Sequence, residues 1–144
     1  VGTNPVFCVG DNSELSQPTS VFIGKEARIG ANCLIGCTLI SDNPGHRLDY
    51  KDRVAMPLDP DSIGRVSIGD YVWAALESMI VGNVTIGAGA VLAARAVVTR
   101  DVPPFCMVAG APARIVKKLD FPEEMIEVLG NDEFRKHQEA QVRK

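Results

Sequence analysis

The chain has 144 residues, 46% of them hydrophobic, 23% charged and only 6% aromatic, with a net charge of −3. That length suits one domain with its own core. The acidic balance argues against a general nucleic-acid surface, and no apolar run approaches the roughly 20 residues of a membrane span. The four cysteines lack C-x-x-C spacing, and two histidines offer no ligand quartet, so free thiols and no metal are expected. No secretory pattern opens the chain, which begins on Val1 as a trimmed or processed chain would. With its cysteines, this reads as cytoplasmic.

Residues 1–20, "VGTNPVFCVGDNSELSQPTS", keep little periodicity and are expected to form a degenerate first repeat that caps an open end. A beat then begins with Ile23-Gly24, Ile29-Gly30 and Ile35-Gly36, with Ala27, Cys33 and Leu39 four places on. It stops in "SDNPGHRLDYKDR", residues 41–53, and resumes at Ile68. Ile68, Ala74, Ile80, Ile86, Leu92 and Val98 stand six apart, and small or β-branched residues recur four places after each, from Val72 to Val102. At this apolar content, six hits in six has a chance probability of about one in a hundred. Ile35 to Ile68 is 33 residues, five and a half hexads, so the phase slips by half a repeat. Something is inserted: residues of about 42–61 should leave as an excursion loop, helped by Pro44-Gly45, Pro57 and Pro60. Loops on rigid scaffolds are where chemistry is usually placed, and this one holds His46, whose unperturbed pKa suits proton transfer near neutrality.

Beyond the beat, "DVPPFCMVAGAPARIVKKLD" contains Pro103 and Pro104, which remove two amide donors and are expected to stop strand pairing. Asp120, Pro122 and Glu123 form a helix-start signal. A helix is expected over about 122–129, ending near Gly130, with a second, charged helical stretch over about 132–143 that carries His137 at the surface.

A period of six fits neither the helical 3.6 nor the strand period of 2. One short strand plus one corner does take six residues. Three such faces close a triangular coil, and identical positions stack into a parallel β-helix with an aliphatic core. A β-sandwich would show turn signals every 8–12 residues instead.

The run "VSIGDYVWAALESMIVGNVTIGAGAVLAARAVVTRDVPPFCMVAGAPARIVKK", residues 66–118, resembles the hexapeptide-repeat acyltransferases, close to their sugar O-acetyltransferase and xenobiotic acetyltransferase branch. The resemblance implies an all-β fold: a left-handed parallel β-helix over 1–118 with its excursion loop, followed by a short helical extension over 119–144. It implies acetyl-CoA as acyl donor and a homotrimer with active sites between neighbouring coils. His46-Arg47-Leu48-Asp49 matches the family's H-x-[IL]-D, which makes His46 the general base, with Asp42 and Asp49 as alternative carboxylates to orient its ring. By motif position Trp73, Ala75, Ala94, Thr99, Arg100, Arg114 and Lys117 would contact CoA. The chain departs from the family at "WAALES", residues 73–78, and at "AARA", residues 93–96, where Glu77 and Arg95 stand in place of small residues. The implied reaction is acetyl transfer to a hydroxyl of a sugar or polysaccharide precursor. Transfer to an amine or antibiotic hydroxyl, and a catalytically silent assembly module, are the alternatives. A β-helical carbonic anhydrase would need three zinc-binding histidines.

Overall fold

A computed structural model describes residues 4–43, 45, 49, 51, 63–120 and 122–125. The expected coil is there, wound as three strands per turn. The first coil is β1 (Val6–Val9), β2 (Glu14–Ser16) and β3 (Ser20–Phe22); the second is β4 (Glu26–Ile29), β5 (Leu34–Gly36) and β6 (Leu39–Ser41). The third is β7 (Arg65–Ile68), β8 (Trp73–Ala74) and β9 (Met79–Val81), and the fourth is β10 (Val84–Ile86), β11 (Val91–Leu92) and β12 (Val97–Val98). Last come β13 (Cys106–Ala109) and β14 (Arg114–Lys118). Corresponding strands stack into three sheets: β1-β4-β7-β10, β2-β5-β8-β11-β13-β14 and β3-β6-β9-β12. Every pairing is parallel except β13 with β14.

The register explains the beat. Ile29, Ile68 and Ile86 align on the first sheet, Ile35, Ala74, Leu92 and Val108 on the second, and Ile40, Ile80 and Val98 on the third. All are buried, as are the small and β-branched partners Ala27, Val66, Val72, Val84 and Ala90. Each fully buried Ile or Leu contributes about 1.5–3 kcal/mol. Slim side chains are needed because coil backbones pass close at the corners. A Cβ on Gly69 would lie 2.7 Å from the Ala88 nitrogen, and one on Gly87 would lie 2.3 Å from the Pro104 nitrogen.

Three features depart from the reading of the sequence. Leu39, which shares the four-places-on column with buried Ala27 and Cys33, stays out of the core; it pairs with outward-facing Met79, while Ile40 pairs with buried Ile80. Thr38 is the buried residue at that corner, and its hydroxyl lies 3.2 Å from that of Ser78, so both polar atoms have a partner away from water. The step from Ile35 to Ile40 is therefore five residues, and part of the phase slip is a shortened corner. Secondly, pairing does not stop at Pro103-Pro104. Val102 still bridges Ile86, and β13 continues the second sheet beside β11. The prolines occupy the bend between these two contacts, where no ladder donor is required. Thirdly, residues 6–22 build a complete first coil in register with the second, Phe7 opposite Ala27 and Leu15 opposite Ile35. It ends the stack without sealing it: inward-register Phe7 and Val9 are each 41% exposed. At the other end helical residues 123–125 are described, with the Met125 amide donating to the Pro122 carbonyl at 2.9 Å. The remainder of the expected tail, 126–144 with His137, lies outside the described residues.

From the second coil onward, the outward positions divide the prism. On the first sheet they are then polar, with Arg28 and Arg65 both paired to Glu26 and with Ser67 and Thr85 alongside. On the second they read Leu34, Trp73, Val91 and Met107, and on the third Leu39, Met79 and Val97. Leu76 at the corner joining those two sheets is 57% exposed.

Candidate active site

Of the residues expected at the base, His46 lies outside the described residues. Asp42 is fully buried at the end of β6. Its Oδ1 accepts from the Gly24 amide at 2.8 Å, and its Oδ2 accepts from the amides of Lys25 at 2.7 Å and Glu26 at 2.8 Å. Asp49 is exposed and accepts from the Lys51 amide at 2.8 Å through Oδ1. The two candidate orienters thus sit in opposite environments.

The expected donor-side residues fall into two groups. Trp73 stands outward on β8 between Leu34 and Val91, about half exposed. Ala75 and Ala94 occupy the corner that follows the second sheet, on successive coils; the Ala75 amide donates to Leu92 O at 2.8 Å. At this same corner Cys37, Glu77 and Arg95 all take positive φ, at 49°, 58° and 61°. Such angles cost a side chain that glycine would not lose. The Arg95 Nε donates to Glu77 Oε2 at 2.7 Å. Together with Leu39, Ser78, Met79 and Val97 these residues line a groove of about 450 Å³.

The second group is cationic. Arg100 and Arg114 line one shallow groove of about 310 Å³ with Val98, Asp101, Val108 and Ile115 among its other walls. Thr99 precedes Arg100 on the exposed edge after β12. Lys117 lies on β14 opposite Met107, so the antiparallel turn back along β13 returns a basic strand to the end of the stack. The sequence did not announce this hairpin; Gly110 at φ 91° is its one local sign. Charge-assisted contacts to phosphate oxygens ask for such exposed guanidinium and ammonium groups.

Burial pushes the Cys33 and Cys106 thiols up, which keeps them protonated and unsuited to nucleophilic catalysis. Among the described residues no group of three or more His, Cys, Asp or Glu is arranged to hold a metal ion. No described helix is long and apolar enough to cross a membrane.

Sequence reasoning missed the commitment of Asp42 to backbone amides. Its signal was present as a column of acceptors at one corner. Asn83 accepts from the Arg65 amide at 3.0 Å and Asp101 from the Thr85 amide at 2.8 Å. The two stand one coil apart, and Asp42 does for β4 what they do for β7 and β10.

No protein-family model matches the chain. Known proteins do. A hexapeptide-repeat acetyltransferase from Vibrio cholerae superposes with a TM-score of 0.72 at 33% identity, over 80% of this chain and 72% of that one. This chain belongs to the hexapeptide-repeat acetyltransferases. The same Vibrio protein in complex with acetyl coenzyme A superposes with a TM-score of 0.73. A galactoside acetyltransferase in complex with coenzyme A matches with a TM-score of 0.66 at 26% identity, over 79% of this chain and 66% of that one. In sequence, chloramphenicol acetyltransferase of Klebsiella aerogenes is 34% identical over 116 residues, covering 70% of this chain. The chain spans about half the length of that relative, 55%.

Proposed function

We propose that the chain is the β-helical catalytic unit of an acetyl-CoA-dependent O-acetyltransferase. The observation that carries this is the meeting of Arg100 and Arg114 in one groove, at the end of the same coil stack that presents Trp73 and Ala94 along its corner. CoA is long and ends in phosphates. The basic groove suits its phosphates, with Thr99 and Lys117 beside it, and the corner at Ala75 and Ala94 suits its pantetheine arm. The coil is taken as left-handed, like the family's, with 1–118 as the transferase unit and 119–144 as a helical extension.

In this reading neutral His46 removes the proton of an acceptor hydroxyl as its oxygen attacks the thioester carbon. Negative charge develops on the carbonyl oxygen, where backbone N–H groups stabilise it. The C–S bond breaks, and the thiolate, whose thiol pKa is about 8.5, takes the proton from the imidazolium. Asp49 is the better carboxylate to hold the ring: it is exposed and stands three residues after His46 in sequence, whereas both oxygens of Asp42 are engaged by backbone amides. The apolar outward columns of the second and third sheets support self-association, and a homotrimer would set the base of one coil against the CoA groove of the next. The cytoplasm, where acetyl-CoA is made, is the expected compartment.

The acceptor is a small hydroxyl compound. A sugar is supported by the galactoside acetyltransferase likeness, and an antibiotic hydroxyl by the chloramphenicol acetyltransferase relatives. Thiol release from acetyl-CoA, measured with galactosides and with chloramphenicol, tests both. His46→Ala is expected to lower kcat by about 10²–10⁴-fold. Equal rates for variant and wild type would remove His46 from the mechanism. Failure of the wild type to bind CoA in calorimetry would favour a silent assembly module.

A further inference from the structure

The carboxylate of Asp42 is the most fully enclosed charge among the described residues, and the reaction outlined above leaves it no task. Three backbone amides converge on it at 2.7–2.8 Å, all from the segment 24–26 that enters β4. Its own carbonyl accepts from the Gly64 amide at 2.9 Å. Residue 64 is where the chain re-enters the coil, one residue before β7, and Ile63 packs against Gly24 with its side chain 3.3 Å from the position a Cβ there would take. One residue therefore fastens both ends of the insertion: the carboxylate ties its departure to the coil below, and the carbonyl ties its return.

We infer that Asp42 is a positioning residue, a clamp on the stem of the loop that bears His46, and not the partner of the imidazole. This rests on the base assignment above for its effect on rate, but the clamp itself is independent of it. A carboxylate has two oxygens and can accept several N–H bonds at once, as Asp42 does from three amides. Asparagine in its place has one oxygen for three donors and turns an NH₂ toward the rest. The stem would loosen, and a base displaced by about 1 Å loses roughly a hundredfold in rate. The donor groove around Arg100 and Arg114 lies on other segments, so CoA binding should persist.

Asp42→Asn is the test, read three ways. Tryptic cleavage at Arg47, Lys51 and Arg53, the basic residues of the loop, is expected to accelerate by about tenfold, as a weakened stem opens more often. CoA affinity by calorimetry is expected to stay at the wild-type value, which also reports that the variant is folded. The imidazole pKa of His46, followed by NMR and assigned against His137 with the two His→Ala variants, is expected not to move. A drop in that pKa would show that a negative partner had been removed from the ring, and would overturn the clamp in favour of direct orientation. Unchanged proteolysis would overturn it as well. Should Asp42→Asn fail to fold, hydrogen exchange of the unaltered protein decides: the amides of Gly24, Lys25, Glu26 and Gly64 should be protected, and free exchange at these positions would end the idea. A fully active His46→Ala would sink the base assignment while leaving each of these outcomes as stated.

Discussion

Replacing Arg114 by Ala separates a specific phosphate contact from a general positive field. Arg114 is exposed on β14 and shares its groove with Arg100. A fully desolvated charge-assisted hydrogen bond is worth about 1.5–3 kcal/mol. Arg114 is exposed, so the lower end applies, about 1.5 kcal/mol, or roughly tenfold in CoA affinity. Arg100→Ala should cost the same, and the double variant less than the sum, because two guanidinium groups serving one phosphate chain are coupled. The assay is calorimetric titration with CoA at two salt concentrations, with Arg28→Ala as control. Arg28 lies on the polar first sheet, paired with Glu26, and its removal changes the net charge equally. If Arg28→Ala weakens CoA as much as Arg114→Ala, the groove is not the phosphate site and the functional reading loses its main support.

Two further predictions concern the coil. Ile86→Ala removes a fully enclosed side chain whose ladder neighbours, Ile68 and Val102, are held by strand pairing and cannot collapse inward; it should cost about 3–4 kcal/mol, about 6–16 °C in Tm for a chain of this size, while adjacent, outward Thr85→Ala stays within about 0.5 kcal/mol. Similar Tm losses for the two would contradict the inward–outward alternation. Arg95→Gly gives up an exposed ion pair worth at most about 1 kcal/mol but relieves a side chain at φ 61°, so thermal denaturation should find it neutral or slightly stabilised, and a loss above about 1 kcal/mol would mean the Glu77 contact is stronger than its exposure allows.

The coil was legible because its cause is local and repeated. Each inward Ile, Val or Leu is chosen by the layer above and below it, so the period survives in one sequence without any partner. The shortened corner was not legible, since Leu39 satisfies the hexad pattern and Thr38 looks like a surface residue until Ser78 is seen opposite its hydroxyl. Pro103 and Pro104 misled for a related reason: a missing amide matters within a strand and not at a bend. The basic groove was read residue by residue from the motif, but that Arg100 and Arg114 share it depends on the antiparallel return of β14, which no period records. Asp42 carried two meanings in sequence, a carboxylate near a histidine and an acceptor at a corner, and only the distances to Gly24, Lys25 and Glu26 separate them.

The Asp42 carbonyl and the Gly64 amide meet in one hydrogen bond across the interval between β6 and β7. Lengthening a loop whose ends already touch costs little, about 0.6 kcal/mol for each doubling. The pairings of β4 with β7 and of β6 with β9 are made by residues outside this interval. On the proposed reading, in which the intervening segment carries the base, exchanging that segment between two relatives at this junction leaves the inward columns of the coil unaltered.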